Sequence, residues 1–185
     1  LGTVHRIDRP VSGAVIFART SKALERMNKL FEERKVQKTY LAVVENRPKE
    51  LEGVLLNYIA KDQEKNIVHI SSKQNTKHYK LDKLEYKLLA GIGDHFLLEV
   101  KPHTGRPHQI RAQLGKLGCP IRGDVKYGAK RKNEDGRIHL HFVSLEFEQK
   151  KKKNNVLIKA EIPNEQVWRL FRQALSDIPF YKELI

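Results

Sequence analysis

The chain has 185 residues, enough to bury roughly 70% of the surface that its extended form exposes, so one hydrophobic core and one domain are expected. Thirty-six Lys and Arg against 22 Asp and Glu leave a formal charge of +14, which favours a polyanionic partner through counterion release, nucleic acid first, with plain solubility as the bland alternative. A membrane is disfavoured because no run approaches the roughly 18–20 apolar residues of a span, and the lone Cys119 excludes an internal disulfide and fits a reducing, cytoplasmic setting.

In chain order, residues 13–19 (GAVIFAR) form a short apolar run that reads as a buried strand. Thr20 or Ser21 then caps a helix to about Arg34, because Ala23, Leu24, Met27, Leu30 and Phe31 recur at helical spacing. Residues 39–44 (TYLAVV) return to strand character. A polar, lysine-rich stretch follows to about Thr76, with strand-like runs at 54–59 and 67–70. Residues 79–90 and 95–100 are two longer strands joined through Gly91-Ile92-Gly93-Asp94, where glycine can take positive φ.

Pro107 suits the first turn of a helix whose Ile110, Leu114 and Leu117 form one stripe and which Gly118 stops. Residues 137–147 and 156–161 form a second hairpin around the lysine run 150–153, read as a solvated turn. Asn164 is the expected cap of one last helix carrying Val167, Trp168, Leu170, Phe171 and Leu175. Strands outnumber helices without a regular βαβ layout, so the fold class is α+β with a mixed, largely antiparallel sheet flanked by helices.

Three places can carry chemistry. In His5-Arg6-Ile7-Asp8-Arg9-Pro10, two arginines flank a carboxylate, and neighbouring cations would hold Asp8 ionised as a nucleophile or base; a surface salt-bridge cluster is the plain alternative. In Gly105-Arg106-Pro107-His108-Gln109-Ile110-Arg111, Arg106 and His108 would lie at the positive end of a helix, a setting that suits phosphate. Lys38-Thr39-Tyr40 opens a strand with an aromatic ring, which by itself reads as a core or edge residue. Phosphate-loop, dinucleotide-binding, HExxH, zinc-deaminase and serine-elbow patterns are all absent from the sequence, so the chemistry is expected to need no metal and no organic cofactor.

Together these segments resemble the RluA family of RNA pseudouridine synthases. His5-Arg6-Ile7-Asp8-Arg9-Pro10-Val11-Ser12-Gly13 is similar to the family's HRLDxxTSG motif, with Ile7 for Leu and Val11 for Thr. Lys38-Thr39-Tyr40 matches its second motif, residues 105–111 its GRxHQIR motif, and residues 117–124 (LGCPIRGD) its LGxPIxGD segment. Pro107 departs from the commoner Thr or Ser and removes a hydroxyl near the expected phosphate path.

The resemblance implies the pseudouridine synthase catalytic fold over residues 1–185 and isomerisation of uridine in ribosomal or transfer RNA, with no cofactor because no atom is gained or lost. It implies Asp8 as the catalytic aspartate, Tyr40 as the ring that stacks on the target base and Arg111 as the basic partner of the carboxylate. Arg6 falls on a residue that fills the space of the flipped uridine, and Arg9, Lys38, Arg106 and His108 are expected to contact RNA. Structured RNA with an extruded uridine is the expected partner, and a monomer is expected. Family members carry a strand and loop before the first motif, and many an S4-type domain, so the abrupt start at Leu1 is expected to continue upstream. Residues 61–77 and 129–136 are candidates for contacts outside the pocket. A non-catalytic, ribosome-associated RNA-binding protein is the alternative function.

Overall fold

The structure is a computed structural model that describes residues 1–74 and 77–185. The elements are β1 (Gly2–Thr3), β2 (Ser12–Gly13), β3 (Phe17–Ala18), α1 (Ser21–Glu32), β4 (Gln37–Val44), β5 (Glu52–Asp62), β6 (Ile67–Ser71), β7 (Lys80–Ile92) and β8 (His95–Pro102). After them come α2 (Gln109–Lys116), a 3-10 turn (Val125–Tyr127), β9 (Leu140–Gln149), β10 (Asn154–Lys159), α3 (Gln166–Arg169), α4 (Arg172–Ser176) and α5 (Pro179–Lys182).

Period-two alternation in β4 builds two layers around one sheet. Ala42 and Val44 face a core that includes Leu98, Val100, Ile110 and Leu114, so α2 covers that side. Leu41 and Val43 face Trp168, Phe171, Leu175 and Tyr181, which places the C-terminal helices on the other side. The strand order is β10-β9-β4-β8-β7-β5-β6, antiparallel throughout, and β2 adds a short parallel pairing to β9. The class is therefore the mixed, largely antiparallel α+β arrangement expected from the sequence. Among the described residues no helix is long and apolar enough to cross a membrane.

Several local expectations need correction. Residues 13–19 are not one buried strand. Gly13 has φ +129°, and a Cβ there would lie 2.3 Å from the Phe142 carbonyl oxygen. The chain touches β9 at that point, through Ser12↔His141 and Gly13↔Phe142, and then swings away. Val15 and Phe17 remain exposed, and β3 pairs with β1 instead.

Helix α2 starts at Gln109 and not near Pro107, because His108 adopts the left-handed conformation, φ 56°, as its N-cap. One long C-terminal helix is replaced by three short ones. Trp168, Phe171, Leu175 and Tyr181 must all reach the same sheet face, and Pro179 at the start of α5 restarts the helical path. Asn164 caps nothing. Its Oδ1 accepts a 3.0 Å hydrogen bond from Arg169 Nε, and Glu165 is the N-cap of α3.

The remaining boundaries follow the sequence closely. Thr20 caps α1, its Oγ1 accepting from Ala23 N at 3.1 Å. Gly118, at φ +87°, ends the turn after α2. The β7–β8 hairpin closes tightly over Gly93-Asp94, and Gly93 alone of that pair has positive φ.

Two histidines on and beside β9 lie against Trp168, both with ring centroids 6.0 Å from it. Burial pushes His139 and His141 down to about 4. The unfolded rings, near 6.5, take up protons first as pH falls, so stability present above about pH 6.5 is lost between there and about pH 4. Each ring contributes at most about 2–3 kcal/mol over that window. Urea titrations should show stability falling across it, and His141→Gln should flatten the slope by its share; an unchanged slope would locate acid sensitivity elsewhere.

Candidate active site

The segment carrying Asp8 is fastened on both sides. His5 Nε2 accepts from Ile16 N at 3.1 Å, and its ring stacks on Phe31 with centroids 5.4 Å apart. Burial, then the Lys38 charge, pushes that imidazole below its ordinary value, which suits an acceptor nitrogen. Beyond Asp8, Val11 N donates to the Asp8 carbonyl at 2.9 Å, and Ile138 N donates to the Pro10 carbonyl at 3.1 Å. Ser12 Oγ and His141 Nδ1 are 2.8 Å apart. The carboxylate thus projects from a short loop whose ends cannot drift.

Opposite it, α2 is locked to the sheet by amides. Gln109 Oε1 accepts from Thr104 Oγ1 at 2.8 Å, while its Nε2 donates to the Lys83 carbonyl and to Gln113 Oε1 at 3.1 and 3.0 Å. Gln113 Nε2 in turn donates to Asn57 Oδ1 at 3.0 Å. Both glutamines are buried, so each satisfied bond holds the helix in one position.

That helix delivers Arg111. Its Nε and Nη2 each donate to Asp124 at 2.8 Å, a bidentate pair buried on both sides. Nη1 is left for Asp8 Oδ2 at 3.4 Å. The guanidinium also lies over the Tyr127 ring, 5.1 Å from its centroid. His108 Nε2 stands 3.9 Å from Asp8 Oδ1.

The cations around Asp8 are therefore Arg111 and, when protonated, His108. Arg6 and Arg9, its neighbours in sequence, make no ion pair with it among the described residues. Both line the mouth of the cavity with exposed side chains. The expected pairing of Arg111 with Asp8 is present at 3.4 Å, and its two shorter bonds go to Asp124.

A cavity of about 670 Å³ joins these groups, lined by Asp8, Tyr40, Lys38, Arg106, His108 and Arg111 among others. Tyr40 shares the face of Ala42 and Val44, and a register shift between Thr39 and Tyr40 sets its ring 4.4 Å from that of Phe142. Burial, and then the Asp8 charge, raises its phenol well above the ordinary value, so it stays neutral. Lys38 donates to the Thr104 carbonyl at 2.9 Å, and burial, then Arg34, pushes it down to about 8. Arg106 Nε reaches the buried Asp82 at 3.3 Å.

His108 lies at the start of α2, where the sequence put it, and its side chain, 9% exposed, faces Asp8 and Tyr127. The sequence placed all eight candidate residues, and the structure brings all of them to one cavity. Missed were Asp124, Tyr127, Gln109 and Gln113 as supports. Asp124 ends the LGCPIRGD segment, so its acidic charge after a turn glycine was the available signal.

Of the two candidate loops, residues 61–77 contribute Lys61 and Asn66 to the cavity, while 75 and 76 lie outside the described residues. Lys132, Asn133, Glu134 and Asp135 of 129–136 line a separate groove of about 450 Å³ with Pro10, Ser12 and Trp168. A smaller groove of about 260 Å³ continues from the cavity past Arg34, Lys38, His103 and Arg106. Among the described residues no three His, Cys, Asp or Glu side chains gather as a metal-ligand set.

A mixed sheet with one carboxylate, a phenol and guanidinium groups lining one basic cleft suits a polyanionic substrate. The family comparison agrees: residues 1–116 match the RNA pseudouridylate synthase model, and the chain belongs to that family. It is 32% identical over 166 residues to an uncharacterized RNA pseudouridine synthase of Haemophilus influenzae, covering 89% of this chain and 70% of the relative. It is 38% identical over 126 residues to the ribosomal large subunit pseudouridine synthase C of Rickettsia bellii, covering 68% of this chain and 41% of that protein. Human RNA pseudouridylate synthase domain containing 1 superposes with a TM-score of 0.73 at 26% identity, covering 86% of this chain and 68% of the other.

The buried Arg111–Asp124 pair yields a clear expectation. Asp124→Ala should cost about 3–5 kcal/mol by leaving a buried guanidinium without its principal partner, whereas Asp8→Ala, at a part-exposed position, should cost under about 1 kcal/mol. Denaturant unfolding of both variants measures the order, and equal losses would show that Asp124 is not the anchor.

Proposed function

We propose that this chain isomerises uridine to pseudouridine within structured ribosomal or transfer RNA, acting as a cytoplasmic monomer. The observation that carries the reading is the Asp8 carboxylate, gripped through one oxygen by Arg111 and left open to a 670 Å³ basic cavity under the Tyr40 ring. A carboxylate oriented by a guanidinium can attack the nucleotide or promote loss of the base, and the detached uracil then re-forms its link through carbon. No atom is gained or lost in that isomerisation.

Tyr40, kept neutral, offers a flat surface against which an extruded uracil stacks. Arg6, exposed at the cavity mouth, fills the space the uridine leaves in its helix, which offsets an unstacking cost of a few kcal/mol. Arg9, Lys38 and Arg106 neutralise backbone phosphates, and the groove past Arg34 and His103 gives the strand a way out of the cavity. His108, enclosed beside Asp8, supports the carboxylate more directly than it supports a phosphate. The Rickettsia relative is a ribosomal large subunit pseudouridine synthase, and ribosomal RNA is accordingly the first substrate to test.

Asp8→Asn keeps the side-chain shape but removes the negative charge. Single-turnover conversion at saturating enzyme, followed by tritium release from 5-tritiated uridine, should fall by at least about a thousandfold while RNA affinity holds or rises slightly. Conversion within about tenfold of the parent would remove Asp8 from the chemistry. A parent protein that binds RNA tightly yet converts no uridine would instead support the non-catalytic RNA-binding alternative.

A further inference from the structure

Tyr127 touches both of the basic side chains that face Asp8. It stands at the end of the 3-10 turn that follows Asp124. Its ring lies under the Arg111 guanidinium at 5.1 Å and meets the His108 ring edge-on, with centroids 5.6 Å apart. Its hydroxyl oxygen accepts from Val68 N on β6 at 2.9 Å, and the same oxygen is 2.6 Å from His108 Nδ1.

Those two contacts constrain the protons. The Val68 amide is a donor and nothing else, so it occupies a lone pair of the phenol oxygen. The hydroxyl's own proton then needs an acceptor, and among the described residues Nδ1 is the acceptor within reach. Burial pushes His108 below its ordinary value, so the ring is neutral near pH 7 and carries one proton. If Nδ1 accepts, that proton is on Nε2, the nitrogen 3.9 Å from Asp8 Oδ1. The left-handed backbone at His108, a conformation that costs a non-glycine residue about 1 kcal/mol, holds the ring between the two partners.

We propose that Tyr127 is a positioning residue for the isomerisation: its hydroxyl donates to His108 Nδ1 and thereby keeps the Nε2 proton directed at the catalytic carboxylate. This rests on the assignment of Asp8 under the proposed function. The 3.9 Å separation closes to a hydrogen bond when substrate enters, as contacts in unliganded sites commonly tighten. Asp8 then meets a guanidinium at one oxygen and an imidazole N–H at the other, which fixes the plane of the carboxylate toward the nucleotide.

The test begins with nitrogen-15 NMR of histidine-labelled protein near pH 7. His108, assigned by its loss in His108→Gln, should show the Nε2–H tautomer, and a predominantly Nδ1–H ring would overturn the proposal whatever the variants do. Tyr127→Phe keeps the ring over Arg111 but removes the hydroxyl; it should lower the single-turnover rate by about tenfold with RNA affinity unchanged.

His108→Gln places an amide N–H near the Nε2 position without a tautomer to choose. In that background Tyr127→Phe should have under about a twofold further effect. An equal penalty in both backgrounds would mean that Tyr127 acts only through packing or through Val68, and no penalty in either would dismiss it. Should the parent convert no uridine, the proposed function fails, while the tautomer measurement still decides whether the Tyr127–His108 contact is as described.

Discussion

The buried pair between Arg111 and Asp124 is the interaction on which the rest of the site depends. Its two 2.8 Å bonds use Nε and Nη2, so the guanidinium plane is fixed before Asp8 is considered. Fixing that plane directs Nη1 toward the carboxylate and turns one face to the Tyr127 ring. A lysine could supply charge here but neither the fork nor the stacked face, and so could not set three directions at once. The cost of burying the pair is offset because both oxygens of Asp124 and two edges of Arg111 are hydrogen-bonded.

The division of one guanidinium between two carboxylates also has a chemical consequence. Asp124 takes the short bonds and Asp8 a single longer one, at 3.4 Å. A bidentate grip on Asp8 would commit both of its oxygens to the one guanidinium and leave neither to face His108. The sharing leaves Oδ1 without a hydrogen bond among the described residues, while the charge of Asp8 remains compensated at Oδ2. Positioning and availability are thereby separated between two acidic residues, one buried and one at the cavity wall.

Much of this was legible in the sequence for a simple reason. Asp8, Tyr40 and Arg111 lie in short segments whose residue types and order resemble a family, and the alternation of β4 fixes which face Tyr40 takes. What was not legible depends on contacts between distant segments. Gln109 and Gln113 look like polar positions on a helix, yet they are buried because their amides meet Lys83, Thr104 and Asn57 across the sheet. Likewise the helix was expected to begin near Pro107. The left-handed turn at His108 exists because its ring is held by Tyr127, nineteen residues away, and no local propensity encodes that. Residues 13–19 failed for the same kind of reason: an apolar run reads as a strand, but the backbone contact of Gly13 with Phe142 diverts it.

The electrostatics of the cleft follow from where the charge of +14 is placed, more than from its size. Asp82 is wholly buried beneath Arg106 and beside Lys38, and burial raises its carboxyl even against the pull of Arg106. Lys38 is lowered to about 8 by burial and then by Arg34, so part of its population is neutral in mildly alkaline solution. A phosphate arriving at this wall adds a negative charge where two guanidinium groups and one reluctant ammonium converge, and it favours the protonated lysine. Binding of a polyanion and protonation of Lys38 are therefore linked in the same direction. Strand β4 thus presents to one cavity both the Tyr40 ring and, two residues earlier, a cation whose charge a bound anion would complete.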